Sequence, residues 1–323
     1  MRMAWRAAAV AAMIGWAGGA GAASLGDVYT SFWSLGDSLS DNGNLFAVTT
    51  SANAANPAVP VTPASPPYFN GRFSNGPIWA EAIAANFAVT GNLAFGGANA
   101  LTNADPVPDL GFQIGAFTLA APSVMGARPL ASLWFGANDQ FGALDALAAG
   151  ATVSTEAVGQ TAADAVLAGA RSLATLGVGD FLIFNLPDLG AIPAFAGTPL
   201  SGAATAGATA FNARLDAGID GLRTEGLNVA EVDIFSVFNA LLTEPAAFGV
   251  MSATVPCIIP GVRICDAAKA EQLAFFDPVH PNATIHERVA AEARAALAPV
   301  PLPAAGWLLA AALGALAVRA RRV

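Results

Sequence analysis

The sequence predicts an α/β domain in which a parallel sheet carries helices on both faces. Three observations carry that expectation. Five short apolar runs recur along the chain, longer alanine-rich stretches compatible with helices separate them, and the first three runs lead into Ser38, Gly97 and Asn138. A parallel strand covered on both faces reads as a nearly continuous apolar run. The runs that meet this description are Phe32 to Leu35, Asn92 to Phe95, Ala131 to Phe135, Asp180 to Asn185 and Val229 to Asp233. Helices are expected over Thr152 to Leu176, Ala203 to Thr224 and Ala283 to Ala298, the last with Asn282 placed to cap it. Two stretches rich in Pro, Ser, Gly or Ala, 53–68 and 191–207, read as loops, which contact substrates more often than they carry stability. No internal repeat and no central linker interrupts the pattern.

A chain of 323 residues with 55% apolar composition can bury a large core. Only 11% of residues are charged, and the formal charge of −9 argues against nucleic acid as a partner, which requires a basic face. The two ends differ from the middle. Residues 1–22 carry Arg2 and Arg6, an apolar run from Ala7 and small residues at 20–22, the pattern of a secretory signal peptide. Residues 300–323 begin Val300-Pro301-Leu302-Pro303-Ala304, continue as an apolar run and close on Arg319, Arg321 and Arg322. An apolar segment stopped by basic residues holds a chain at a membrane with its arginines in the cytoplasm. The run is shorter than the roughly 20 residues of a lasting span, so the expected membrane association is transient. The expected organisation is thus a leader over 1–22, one domain over 23–299 and a tail over 300–323. Removal of both ends takes away five arginines and no acids, leaving an acidic exported domain.

Cys257 and Cys265 are the only cysteines, and they bracket a Pro-Gly turn. Export to an oxidising compartment lets such a pair close as a disulfide. Without further His or Cys nearby they do not form a zinc site, and neither a metal nor a cofactor is expected.

The chemistry concentrates in two segments, SLGDSLSDNGN from Ser34 to Asn44 and FFDPVHPN from Phe275 to Asn282. The first sets Ser38 on a tight turn after an apolar strand. The second supplies Asp277 and His280, in a chain with only two histidines. A hydroxyl is a poor nucleophile until a positioned base takes its proton, and a carboxylate holds that base in the right tautomer. Attack on an ester carbonyl creates an oxyanion that needs fixed donors. The backbone N–H of Ser38, one in the Gly96-Gly97 pair and the side-chain amide of Asn138 are the candidates. Asp139, Asp188 and Asp233 read as structural, and His286, among Glu287, Arg288, Glu292 and Arg294, reads as part of a solvated helix face. Tyr68, Phe69, Phe141 and Phe195 lie in or near loops and are candidates for an apolar acyl site.

With these residues in place, the chain resembles the GDSL lipases and esterases of the SGNH hydrolase family. The blocks that match are Gly36 to Asn44, Gly96-Gly97, Gly136 to Asp139 and Asp277 to His280. Gly71-Arg72-Phe73-Ser74-Asn75-Gly76-Pro77 and Asn185 to Gly190 resemble further stretches of its secreted branch. The likeness covers about residues 30 to 298; Leu35 departs from it where an aromatic is common. It implies a three-layer α/β/α, flavodoxin-like fold with a five-stranded parallel sheet. It also implies Ser38 as nucleophile, His280 as base, Asp277 orienting it, and Ser38, Gly97 and Asn138 as the oxyanion hole. The tail resembles the VPLPA variety of PEP-CTERM sorting signal, which implies an exosortase-type enzyme as partner and a final place outside the cell or on its surface. The expected activity is hydrolysis of a carboxylic ester, of an acyl lipid or an acylated saccharide, through an acyl-serine. An acyltransferase using the same acyl-enzyme and a non-catalytic polysaccharide binder are the alternatives.

Overall fold

The computed structural model describes residues 24–259 and 263–298. The expected leader over 1–22 and sorting tail over 300–323 lie outside the described residues. In chain order the elements are α1 (Leu25–Val28), β1 (Ser31–Gly36), α2 (Asn44–Ala55), α3 (Trp79–Ala84), β2 (Thr90–Asn92), α4 (Leu110–Ala120), β3 (Pro129–Trp134), α5 (Ala137–Ala148), α6 (Thr155–Thr175), β4 (Asp180–Phe184), α7 (Ser201–Thr224), β5 (Asn228–Val232), α8 (Ile234–Thr243), β6 (Ile258–Ile259), β7 (Arg263–Ile264), α9 (Ala267–Gln272) and α10 (Ala283–Leu297).

Five strands form one sheet in the order β2-β1-β3-β4-β5, and every neighbouring pair is parallel. Every residue of β1, β3 and β4 is buried, which explains their unbroken apolar sequence. Successive side chains point to opposite faces of a strand. Phe32 therefore meets Trp79 of α3, and Trp33 meets Phe117 of α4, both edge to face. Helix α10 packs on α3 and β5, while α6 packs on α4, α5 and α7. The result is the expected three-layer α/β/α arrangement. Strand order reverses between β1 and β3, so a crevice opens there beyond the strands' C-terminal ends.

Three boundaries differ from expectation. β2 ends at Asn92, where the apolar run begins, yet Leu93 N–H donates to Ser34 O at 2.8 Å and Phe95 N–H to Gly36 O at 3.1 Å. The expected segment thus still runs beside β1. Helix α7 starts at Ser201, inside a stretch that reads as loop, and α2 extends to Ala55, inside the other.

His286 corrects the sequence reading outright. It is buried, not part of a solvated face. The inward stripe of α10 is Ile285, His286, Val289, Ala290, Ala293 and Leu297, a helical repeat in which His286 takes a core position. Its charged neighbours in sequence lie on the other side of the helix. Burial drives its pKa down to about 3, so the ring is neutral.

Cys257 and Cys265 form a disulfide across the β6–β7 hairpin. Cys257 N–H donates to Phe275 O at 3.1 Å and Ile258 N–H to Phe276 O at 2.7 Å. The closed hairpin therefore supports the two residues that precede Asp277. Among the described residues, no helix is long and apolar enough to cross a membrane.

Candidate active site

The turn after β1 is built to present Ser38. Gln113 of α4 accepts from Gly36 N–H and donates to Gly36 O, each at 2.9 Å, so the last residue of β1 is held from α4 as well as by the chain beside it. A side chain on Gly36 would collide with Ser40, so only glycine lets the chain turn here. Asp37 O then accepts from Ser40 and Asp41 N–H, both at 3.0 Å, and the turn leaves Ser38 at the crevice. The Asp41 carboxylate accepts from Gly43, Asn44 and Leu45 N–H at the start of α2, and from Gly96 N–H at 2.8 Å. One carboxylate thus ties the Ser38 turn to the glycine pair after β2. Burial raises the Asp41 pKa, and the four backbone donors work against that rise.

His280 arrives from the other end of the chain. Its Nε2 lies 2.8 Å from Ser38 Oγ, and its Nδ1 lies 2.6 Å from Asp277 Oδ2. With Asp277 as an acceptor, Nδ1 carries the proton and Nε2 is free to accept from the Ser38 hydroxyl. Asp277 Oδ1 also accepts from Val279 N–H at 2.9 Å and His280 N–H at 2.8 Å, so the three-residue spacing closes on itself. Burial pushes the Asp277 pKa up, but the charge of a protonated His280 and the bonds from His280, Tyr68 and Val279 outweigh it and leave the group below its ordinary value. Asp277 is thereby kept as a carboxylate.

The 275–282 loop is clamped from outside by the 71–77 stretch, whose role the sequence left open, and by the 191–207 stretch that reads as a loop. Ser74 Oγ donates to Pro281 O at 3.0 Å and Asn75 Oδ1 accepts from Ala283 N–H at 2.8 Å. From the loop after β4, Ala194 N–H donates to Pro278 O at 3.0 Å. Phe73 lies against the His280 ring with centroids 5.0 Å apart.

The oxyanion candidates are arranged as follows. Among the described residues, Ser38 N–H has no hydrogen-bond partner. Asn138, at the start of α5, donates one amide hydrogen to Ala98 O at 2.9 Å, which fixes the amide and leaves its second hydrogen available. Gly96 N–H is already committed to Asp41, whereas Gly97 is exposed, has φ of +85°, and its N–H has no partner among the described residues. Of the pair, Gly97 is the one able to donate. It stands one residue from Ala98, outside the walls of the cleft that Ser38, Asn138 and His280 line. Asp139 accepts from Ala100 and Leu101 N–H and holds that loop, Asp188 accepts from Gly190 N–H and Thr205 Oγ1, and Asp233 caps α8. All three are structural, as the sequence suggests.

The cleft beside Ser38 is walled by Leu39, Phe141, Leu189, Ile192, Phe238 and Val279. Phe195 backs Phe141 at 5.7 Å. Phe69 and Tyr68 do not line it: Phe69 lies under the Arg72 guanidinium, and the Tyr68 hydroxyl donates to Asp277 Oδ2 at 2.6 Å. The Tyr68 contact is one that sequence reading missed, because 209 residues separate the partners and no local pattern links them. No group of His, Cys, Asp and Glu among the described residues is arranged to hold a metal ion.

The model of the GDSL-like lipase/acylhydrolase family matches residues 34–293, which include both ends of this relay. The chain belongs to that family. It is an enzyme that acts on ester bonds. A phosphatidylcholine-sterol acyltransferase of Aeromonas hydrophila is 28% identical over 259 residues, 76% of this chain and 71% of that protein. A thermolabile hemolysin of Vibrio parahaemolyticus is 29% identical over 275 residues, 79% of this chain and 61% of that protein, so the chain spans less than two thirds of it. Among solved structures, the hydrolase LAE5 from a Lake Arreo metagenome aligns with a TM-score of 0.47 and 13% identity over 83% of this chain and 94% of its own.

Asp37, next to Ser38, makes one hydrogen bond, from Leu39 N–H to Oδ1 at 3.0 Å; its buried Oδ2 has no protein partner among the described residues. Burial pushes its pKa from 3.8 up to about 7, against the pull of the Leu39 bond. Between those two values the folded protein holds a proton that the unfolded chain has lost. Stability therefore falls as pH rises from about 4 to about 7 and stays lowered above that. Asp37→Asn should remove this slope. Thermal unfolding is expected to show the variant gaining on the parent from pH 4 to pH 8; an offset equal at both ends would exclude the effect.

Proposed function

We propose that this protein is an exported carboxylic ester hydrolase that works through an acyl-Ser38 intermediate. The single observation that carries the mechanism is the unbroken series Ser38 Oγ to His280 Nε2 at 2.8 Å and His280 Nδ1 to Asp277 Oδ2 at 2.6 Å. His280 takes the Ser38 proton as Oγ attacks the ester carbonyl, and Asp277 stabilises the resulting imidazolium. Ser38 N–H, Asn138 Nδ2 and Gly97 N–H receive the oxyanion. Collapse expels the alcohol, which takes the proton from His280, and water then repeats the sequence to release the acid. No step requires a metal or cofactor. Apart from Asp37, Asn138 and His280, the walls beside Ser38 are apolar, which favours an acyl chain of hydrocarbon character over a charged one. Export is supported by the leader pattern around Arg2 and Arg6 and by a disulfide, which an oxidising compartment maintains. Retention at the surface by a sorting enzyme acting near 300–304 belongs to the same proposal, and rests on the sequence alone.

A fluorophosphonate probe should label Ser38, and Ser38→Ala should abolish labelling without loss of fold, since only one hydroxyl is removed. Mass spectrometry of the adduct decides the matter, and label on another serine would end the assignment. Asn138→Ala should lower kcat by about 10²–10³ with little change in KM if the amide meets only the transition-state oxyanion. A loss confined to KM would mean that Asn138 binds the ground state.

A second reading, transfer of the acyl group to an alcohol, is favoured by the similarity to the Aeromonas acyltransferase. Both readings share the acyl-enzyme and diverge only at its resolution. Supplying a sterol or short alcohol with the ester and measuring new ester against free acid separates them. Free acid as the sole product would leave hydrolysis.

A further inference from the structure

We infer that Tyr68 is a positioning residue for the Ser38–His280–Asp277 relay, holding the Asp277 carboxylate in the orientation His280 requires; this rests on reading that relay as catalytic. Asp277 has four hydrogen-bond donors. Val279 and His280 N–H fill Oδ1 and His280 Nδ1 reaches Oδ2, but all three belong to the same short loop and move with it. The fourth, Tyr68 Oη at 2.6 Å from Oδ2, comes from 209 residues away. Among the described residues it is the one hydrogen bond to this carboxylate from outside the loop.

The phenol is itself held from several sides. Its ring meets Phe276 edge to face at 5.3 Å and Phe73 at 6.2 Å, and Phe73 in turn faces His280. It packs against the small core of Cys257, Ile258, Ala270, Leu273 and Phe276. Its N–H donates to Ala64 O at 3.2 Å and its carbonyl accepts from Ser65 Oγ at 2.7 Å. Burial and the neighbouring carboxylate both raise its pKa, so the hydroxyl remains a donor at every working pH. Tyr68 lines no part of the cleft and touches no reacting atom, which makes its role one of positioning.

A second consequence follows from which oxygen it uses. Tyr68 and His280 share Oδ2, so the phenol draws negative charge from the oxygen that faces the imidazole. A carboxylate relieved of that donor attracts the imidazolium more strongly, and the base then keeps its proton to higher pH. Tyr68→Phe preserves the ring and its packing and removes only the oxygen. Asp37 and His286, the other titratable groups whose charge bears on His280 or is borne upon by it, are unchanged in the variant.

The test measures pH–rate profiles for ester turnover and the rate of fluorophosphonate labelling in the full protein, Tyr68→Phe, Asp277→Asn and the double variant. Tyr68→Phe is expected to label fully at Ser38, with kcat reduced by about tenfold and KM within about twofold of the parent. The acid limb of its profile should move to higher pH. In the Asp277→Asn background the same change should cost less than about twofold, because the partner it acts through is gone. Wild-type kcat and an unmoved acid limb, or an equal loss in both backgrounds, would overturn the inference. Failure of the parent to label at Ser38 would instead refute the relay itself, so the two failures are distinct. Complete labelling of the variant shows that it is folded.

Discussion

The proposed chemistry depends on one contact, the 2.8 Å approach of His280 Nε2 to Ser38 Oγ across 242 residues of chain. Closing a loop of that length costs only modestly more than closing a shorter one. The difficulty is precision, because a base displaced by an ångström no longer accepts the proton. The structure meets it by fixing the two ends separately. Gln113 and Gly36 fix the Ser38 turn at the end of β1, while Ser74, Asn75, Ala194 and the disulfide-closed hairpin fix the 275–282 loop. The polar clamps all bond backbone groups of the turn or the loop that they hold.

The crevice is also crowded with acids, and the fold treats each one differently. Asp41 is offered four backbone donors and Asp139 two. Asp277 has two backbone donors, an imidazole and a phenol. Asp37 has one donor and keeps its proton up to about pH 7. Net acidity of the chain therefore does not translate into a uniformly negative site. The carboxylate kept charged by the most varied partners is the one facing His280, where charge would assist the proton removal proposed for that ring. The one left nearly undonated adjoins Ser38, the proposed nucleophile, where negative charge would oppose an oxyanion.

Much of this was legible in the sequence because the responsible residues are local. β1, β3, β4 and β5 show as apolar runs, and α6, α7 and α10 are long enough for their composition to mark them. The Asp277–His280 pair is three residues apart, so its geometry is set by one short loop. α4 was not legible: it is short and carries no charged residue to mark a solvent side. His286 was misread because the identity of its neighbours outweighed its place in the helical repeat; counting from Ile285 and Val289 would have put it inside. The roles of Ser74, Asn75 and Tyr68 could not be read, since each acts on a partner more than 200 residues away. Periodicity reports burial and caps. It carries no information on which distant loop a hydroxyl will meet.

The parts of the site differ in what holds them, and this bears on the division between hydrolysis and transfer. Ser38 and Asn138 sit at the ends of β1 and β3, on either side of the point where strand order reverses, so their relation follows from the sheet itself. The walls of the cleft beside Ser38 come instead from α5, α8 and the loops around Leu189, Ile192 and Val279. The proposed nucleophile and oxyanion donors, borne on the sheet, can remain fixed while loop-borne walls change, and the proposed acyl-enzyme could then be resolved by water or by an alcohol. The fold alone therefore does not separate the two outcomes. What separates them is whether the walls admit water to the face of the acyl-serine opposite the oxyanion donors or reserve that face for a second, less polar hydroxyl.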